Sequence, residues 1–503
     1  MKKVFGIAMC AMLIFSVILS AAPDTKNKVR YEKYKQDPVM KEILDGAKAL
    51  QKAKDKTTGH IKKCHQAKKK KDREERRMMK TDLNGVYPPK SKKSFKKMFH
   101  FPPQAQYMTS TCWSYSATSF YESEIFRLTG KNIKLSEMWT PYFELLAKCH
   151  RFITTRGNSY VAGGGESNAL PRIWKKHGLA PLSAYSGLLK KEAKHNHGPV
   201  MKEIRGYLKY IKANNLWDEE DNLQHIRLIL DKHLGAPPTS FDYEGKTYTP
   251  HEFLKMTGLD MDAYYSTMST SYFPFYTMQE FKVPDNWWHS EEYVNLPLET
   301  WYKVIKKAMA AKYTIIIGGD VSEPGKYGEK DIAFIPSYDI PQAYINQDSR
   351  EFRIYNRTTQ DDHGIHMVGH TRYKGKDWYL IKDSGRSARK GKKENNGYYF
   401  FREDFIKLKM LTFTVHKDML KDILPKVKKT KKTCCPTTCA KTCCPTTKKA
   451  PAKPCCTPEQ AKKCCPTDKK APAKPCCTPE QAKKCCPTEK KEPAKPCCTK
   501  EKK

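Results

Sequence analysis

The chain has 503 residues, with 93 Lys and Arg against 54 Asp and Glu (net +39), 39% hydrophobic residues and 19 Cys. Its 28 Tyr, 20 Phe and 8 Trp exclude a wholly disordered chain, and 26 Gly cannot sustain a collagen repeat. One apolar run alone approaches the thickness of a bilayer, which excludes a polytopic membrane protein.

That run comes first in the chain. Met1-Lys2-Lys3 is a short positive region, followed by the apolar stretch Val4 to Ser20 and the small residues Ala21-Ala22. This is the layout of a secretory signal peptide, so residues 1–22 are expected to export the chain to the periplasm, cell surface or medium. An uncleaved signal anchor is the alternative. Residues 23–90 are lysine-rich. Val39, Met40, Ile43, Leu44, Ala47 and Leu50 recur at spacings of three and four, which predicts an amphipathic helix starting after Pro38. Lys68-Lys69-Lys70-Lys71 and Arg73-Glu74-Glu75-Arg76-Arg77 extend it as a solvated, charge-laced helix, and the whole reads as a basic arm. The near absence of aromatics for base stacking argues against a specific nucleic-acid partner.

Residues 91–425 have ordinary globular composition and the size of one large domain or two fused lobes. Within them, Trp113, Ala117, Phe120, Tyr121, Ile125 and Leu128 recur at helical intervals and Gly130 supplies a stop. Cys112 therefore falls in the first turn of a buried helix, where the helix dipole favours the attacking thiolate. A lone Cys is otherwise an inert small hydrophobe. Gln106-x5-Cys112-Trp113, followed by Ser114-Tyr115-Ser116, resembles the nucleophile segment of papain-family cysteine peptidases. The resemblance implies that the Gln106 side chain and the Cys112 N–H form an oxyanion hole, a pair of donors for charge that appears in the tetrahedral state. Thr109-Ser110-Thr111 replaces the family's upstream cysteine, which removes a disulfide partner and no catalytic group.

Further along, Gly163-Gly164-Gly165-Glu166-Ser167 resembles the Gly-Gly segment lining that family's cleft, with Gly164 and Gly165 as substrate-binding positions; a plain turn before a helix is the other reading. Asp361-Asp362-His363-Gly364-Ile365-His366-Met367-Val368-Gly369 is similar to the family's histidine strand and implies His363 as the catalytic imidazole, with His366 and His370 as rivals. On a strand, His363 and His366 are expected to face opposite sides. Trp378 to Gly385 and Asn396 to Phe400 resemble the hairpin that orients the imidazole. Asp383 stands there at the usual asparagine position, and Gly385 follows Ser384 where a sheltering Trp is usual. An aspartate can still hydrogen-bond the imidazole and stabilises its charged form.

Cys112 and His363 lie 251 positions apart, against roughly 130 to 150 in the compact papain type, so a large insertion separates them. Leu234-Gly235-Ala236-Pro237-Pro238, Thr249-Pro250-His251-Glu252-Phe253 and Gly318-Gly319-Asp320-Val321 resemble the bleomycin hydrolase (aminopeptidase C) branch. Members of that branch are hexameric aminopeptidases whose C-terminus enters the cleft, which raises aminopeptidase action and homo-oligomerisation here. His251-Glu252 lacks the second histidine of a zinc-peptidase motif.

From Lys428 onwards the composition turns to Lys, Cys, Pro, Thr and Ala. Lys448 to Asp468 is repeated almost letter for letter from Lys469 to Glu489, and 15 of the 19 Cys lie in this tail. Without aromatics, residues 426–503 are expected to be a disordered low-complexity repeat. Disulfide cross-linking or envelope attachment, soft-metal binding and a spacer role all fit its cysteine pairs. The expectation is an exported, α+β, two-lobed papain-like cysteine peptidase. Cys112, His363, Asp383 and Gln106 would be catalytic, peptides or proteins its substrates, and no metal or organic cofactor is required. The rival is a catalytically weak papain-fold surface-binding protein anchored by its tail.

Overall fold

A computed structural model describes residues 29–429, except residues 78, 191–193 and 323–324. Residues 1–22, the expected signal peptide, and residues 430–503 of the expected repeat tail lie outside the described residues. The chain divides into two units, residues 1–80 and 81–503.

In the first unit, helix α1 (Pro38–Glu75) is one continuous element joining the two predicted helical stretches. Asp37 caps it by accepting the Met40 N–H at 2.9 Å, and Pro38 suits the first turn, where no intrahelical donor is needed. The helix buries none of its residues.

The second unit starts at Thr81, ahead of the boundary expected at residue 90, because Leu83 and Val86 pack against a buried cluster containing Phe95, Trp378 and Phe400. Its architecture is the α+β, two-lobed papain-like fold. The helical lobe contains α2 (Cys112–Thr129), α3 (Trp139–Thr154), α4 (Ala169–His177), α5 (Gly198–Ala213) and α6 (Glu219–Leu234). Their apolar faces converge on one core around Phe120, Tyr121, Trp139, Tyr142 and Trp174. Gly130 ends α2 at φ 71°, a left-handed position that glycine adopts without a Cβ clash. The α5–α6 pair lies in the long insertion between the two motif regions.

The β lobe is built on β1 (Tyr264–Met268), β2 (Ile315–Gly319), β3 (His363–Tyr373), β4 (Lys376–Lys382), β5 (Tyr398–Arg402) and β6 (Met410–His416). They run β1-β6-β2-β3-β4-β5, each antiparallel to its neighbour, with shorter strands at the edges. Helix α7 (Leu298–Ala310) covers one face. The all-isoleucine centre of β2 follows from its place between β3 and β6: Ile315 and Ile317 enter the core shared with α7, while Ile316 joins the core of the helical lobe. The sheet thereby buries both faces, and α2 packs against β3 at the junction of the lobes.

The Thr249-Pro250-His251-Glu252-Phe253 run has a local structural role. Thr249 Oγ1 accepts the Glu252 N–H at 3.3 Å and Glu252 Oε2 accepts the Thr249 N–H at 2.8 Å, a reciprocal cap on the helix Pro250–Met256. Phe253 is fully buried among the rings of Phe241, Tyr243 and Tyr248. Thr249→Ala is expected to destabilise the protein by about 1 kcal/mol and Phe253→Ala by about 3–5 kcal/mol. Urea unfolding midpoints of the two variants measure the difference.

Candidate active site

The segment leading into α2 is tightly shaped. Tyr107 and Ser110 hold left-handed backbone at φ 51° and 56°, a strained choice for residues with side chains. Thr109 Oγ1 donates to the Gln106 carbonyl at 2.9 Å and meets Thr111 Oγ1 at 2.6 Å. The helix then starts at Cys112 with no side-chain cap, so its first N–H groups are left for whatever enters beside the thiol. Cys112 is partly exposed. Cys149, by contrast, is fully enclosed in the helical core, and burial pushes its thiol up to about 12.

His363, the first residue of β3, brings its imidazole to Cys112 within hydrogen-bonding reach. Its Nε2 pairs with Asp383 Oδ1 at 2.8 Å, which leaves Nδ1 as the nitrogen for the thiol. Burial pushes this imidazole down, but the charges of Asp383 and Cys112 and their hydrogen bonds outweigh it and raise His363 from 6.5 to about 10. Burial likewise opposes the Asp383 carboxylate. His363, Lys326 and the Gly385 N–H together hold it well below the usual carboxylate range. Lys326 Nζ stands 3.6 Å from Asp383 Oδ2, with both side chains nearly inaccessible. Gly385 donates its N–H to Asp383 Oδ1 at 2.6 Å, and Arg389 holds the turn through the carbonyls of Asp383 and Gly385.

The next residue serves the other side of the site. Ser384 Oγ donates to Gln106 Oε1 at 2.6 Å, and the Ser384 carbonyl accepts the Gln106 N–H at 3.1 Å. The Gln106 amide is thus oriented through its oxygen, with its NH2 left to donate. Gln106, Cys112, Gly164, Gly165 and His363 all line one cleft of about 280 Å³.

Gly164 and Gly165 have a packing reason to lack side chains as well. A Cβ on Gly164 would lie 2.2 Å from the Asp285 carboxylate, and one on Gly165 would lie 2.9 Å from the Trp113 ring. Trp113 Nε1 donates to the Gly163 carbonyl at 3.1 Å, and the buried Lys148 ammonium donates to the carbonyls of Ala162 and Gly164. The glycine segment is therefore a wall fastened to the nucleophile helix.

The rival histidines sit elsewhere. His366 is enclosed, with Nδ1 on Ser119 Oγ at 2.9 Å, and burial followed by the Lys382 charge holds it well below 6.5. His370 stands opposite Lys96 on the neighbouring strand, and neither ring lines the cleft. Strand alternation predicts opposite sides for His363 and His366, yet the two rings do not part. Both meet α2, because His363 is the terminal residue of β3 and reaches Cys112 at the cleft mouth. Gly364 allows this approach: a Cβ there would lie 3.0 Å from Ser116 Oγ and 3.1 Å from the Trp113 Cα.

The motif reading does not single out Lys326, Ser384, Glu166, Asp285 or Asp361. Ser384, Glu166 and Asp361 lie inside the motif segments, one or two residues from assigned positions, and adjacency is the one signal they offer. Lys326 and Asp285 come from remote loops and leave no local signal. No group of three or more His, Cys, Asp or Glu able to hold a metal ion occurs among the described residues.

Comparisons with known proteins agree with this fold. No family model matches the chain. Cathepsin L2 of Homo sapiens is 33% identical over 97 residues, 19% of this chain, and the chain spans about a quarter (26%) of that relative's length. A crystal structure of PepW from Lactobacillus rhamnosis aligns with a TM-score of 0.52 at 18% identity, over 66% of this chain and 85% of that one. A structure from work on the mite allergens Blo t 1 and Der p 1 aligns at a TM-score of 0.31 and 13% identity, a likeness too slight to bear on the fold. The chain has the papain-like α+β fold, with Gln106, Cys112 and His363 lining one cleft and Asp383 enclosed behind the His363 imidazole.

Proposed function

We propose that the protein is a cysteine peptidase, exported by residues 1–22, that hydrolyses peptide bonds through Cys112 and His363. One observation carries the reading: three separate chain segments deliver a partly exposed thiol at an uncapped helix start, an imidazole paired with a buried carboxylate, and an oriented amide to a single cleft. The thiol of Cys149, shut in the core, has none of these partners at hand.

In this mechanism the Cys112 proton resides on His363, whose imidazolium Asp383 stabilises. The Cys112 sulfur attacks the peptide carbonyl carbon, and the oxygen takes the negative charge, accepting hydrogen bonds from the Cys112 N–H and the Gln106 amide. As the C–N bond breaks, His363 passes its proton to the leaving amine, leaving a thioester on Cys112. Water, giving a proton to neutral His363, then adds to the thioester carbon. The C–S bond breaks, releasing the acid and restoring the thiolate–imidazolium pair. The fold supports this reading and leaves endo- and exopeptidase action equally accommodated. The tail's cysteine pairs suit attachment to the cell envelope, which sequence composition alone supports.

The test is hydrolysis of a fluorogenic peptide panel by the full-length protein. Cys112→Ser and His363→Ala are each expected to lower kcat/KM by about 10²–10⁴-fold or more. Unchanged turnover in either variant would overturn these catalytic assignments, and no turnover by the parent with Cys112 unreactive to iodoacetamide would favour the surface-binding protein instead.

Two finer outcomes follow from the site's electrostatics. The Asp383 charge raises His363, and the proton needed by the leaving amine is present below that pKa and lost above it. In Asp383→Asn the alkaline limb of the kcat/KM profile is therefore expected to fall from near 10 towards 6.5, measured between pH 5 and about 10.5. Gln106→Ala is expected to lower kcat by about 10²–10³-fold. Ser384→Ala, which frees the Gln106 amide to turn, should give a smaller loss of about ten-fold, with KM little changed in steady-state kinetics.

A further inference from the structure

Part of the cleft wall is acidic. Glu166, Asp285, Asp361 and Asp362 all line it, drawn from the glycine segment, the loop after residue 280 and the approach to β3. Glu166 is 5% exposed, and its two oxygens are unequally served. Oε2 accepts the Tyr293 hydroxyl at 3.2 Å, whereas Oε1 has no donor among the described residues, and the Glu166 carboxyl meets that of Asp361. Two carboxyls in contact, one of them buried, favour a proton or a cation between them. Burial, then the Asp285 charge, raises Asp361 to about 7, and burial and Asp361 raise Glu166 well above the usual range.

The cations near this wall are engaged elsewhere. Lys148 is the one facing Asp285, but it donates to the Ala162 and Gly164 carbonyls and answers Glu144 more strongly. His363 faces Asp361 and Asp362 but is matched by Asp383 and Cys112. Asp320 adds further negative charge beside Asp362. The remaining lining is small or apolar: Ile316, Gly318, Gly364 and Thr412 leave room for a long, unbranched stem beside the carboxyls.

Resting on the peptidase reading above, we propose that this wall is the specificity pocket, and that Glu166 and Asp361 select a substrate carrying an ammonium or guanidinium group, by clasping that cation between them. An ammonium or guanidinium donor fills the need of Glu166 Oε1 and displaces the shared proton, and charge-assisted bonds of this kind are the strong ones. A neutral or acidic group of the same length leaves the carboxyls unpaired or repelled, which is how a buried polar site rejects the wrong ligand. The cation can come from a Lys or Arg side chain or from the free α-amino group of a peptide.

The experiment compares three fluorogenic peptides with the full-length protein at pH 8: N-blocked with Arg or Lys, unblocked and otherwise neutral, and N-blocked with norleucine in place of the basic residue. Preference for the first assigns the pocket to a basic side chain. Preference for the second assigns it to the substrate N-terminus. Either supports the proposal if the ratio of kcat/KM values to the blocked neutral peptide is at least about ten-fold, as charged hydrogen bonds provide, and if Glu166→Gln and Asp361→Asn collapse that ratio. Melting temperature and iodoacetamide labelling of Cys112 establish that the variants are folded. The parent protein gives an independent readout: for the basic peptide the ratio should climb as pH rises through about 7, the value to which burial and the Asp285 charge raise Asp361, whereas an α-amino cation is itself lost near pH 8. Equal turnover of all three peptides, or a ratio that survives both substitutions, overturns the pocket while leaving the peptidase standing. Turnover of none overturns both.

Discussion

A protonated imidazole withdrawn from water persists only beside compensating charge, and this requirement organises the site. The His363 side chain is 12% exposed and Asp383 is wholly enclosed, so neither could hold its charge without the other. Their 2.8 Å contact is followed by a second cation, Lys326, 3.6 Å beyond the far carboxylate oxygen and lying over the Tyr399 ring. Read along the line, the charges alternate from Lys326 to Asp383 to His363, which faces the sulfur of Cys112. Removing one member strands its neighbour, and a buried ion left without its partner costs about 3–5 kcal/mol.

The turn that carries Asp383 also explains how the two halves of the site stay in register. Asp383 orients the imidazole on the β-lobe side, and Ser384 orients Gln106 on the strand of chain leading to the helical lobe. Gly385 closes the turn with its N–H on Asp383. A Cβ at Gly385 would lie 3.0 Å from Asp383 Oδ1 and 3.4 Å from His363 Nε2, so a glycine is what the pair leaves room for. Where papain-family sequences place asparagine and a sheltering indole, this chain has a charged residue sheltered by burial and balanced by Lys326. The two departures belong together, because the aspartate brings a charge that asparagine lacks and that charge needs a counter-ion.

The same cleft holds two electrostatic systems of unlike kind. Around His363 the charges alternate and compensate. Along the Glu166–Asp361 wall they are of one sign, and burial together with that repulsion raises both carboxyls above the usual range. Lys148, the nearest ammonium on the helical side, is spent on fastening the glycine wall. The unbalanced wall lies within reach of the balanced pair because Gly164, Gly165 and Gly364 let the nucleophile helix, the acidic loop and the histidine strand come close.

Much of the chemistry is readable in the sequence because it is written locally. Helical spacing and Gly130 fix α2, so the place of Cys112 in its first turn follows from chain order alone. The glycine run, the histidine strand and the hairpin after Trp378 are likewise continuous stretches whose residue types state their conformation. The large insertion is legible from the interval between Cys112 and His363, and the fold class from the resemblance those segments carry. Other features are settled by contact between residues far apart in the chain. Which of three neighbouring histidines meets Cys112 depends on β3 ending at the cleft mouth, a matter of sheet register. Lys326 reaches Asp383 and Asp285 reaches the Gly164 wall from loops with no pattern of their own, and the start of the second unit at Thr81 depends on where Leu83 and Val86 pack. Charge compensation acts through space over a few ångströms, whereas a motif acts along the chain. For that reason the sequence determined which groups this site contains, and the tertiary structure decided which of them answer one another.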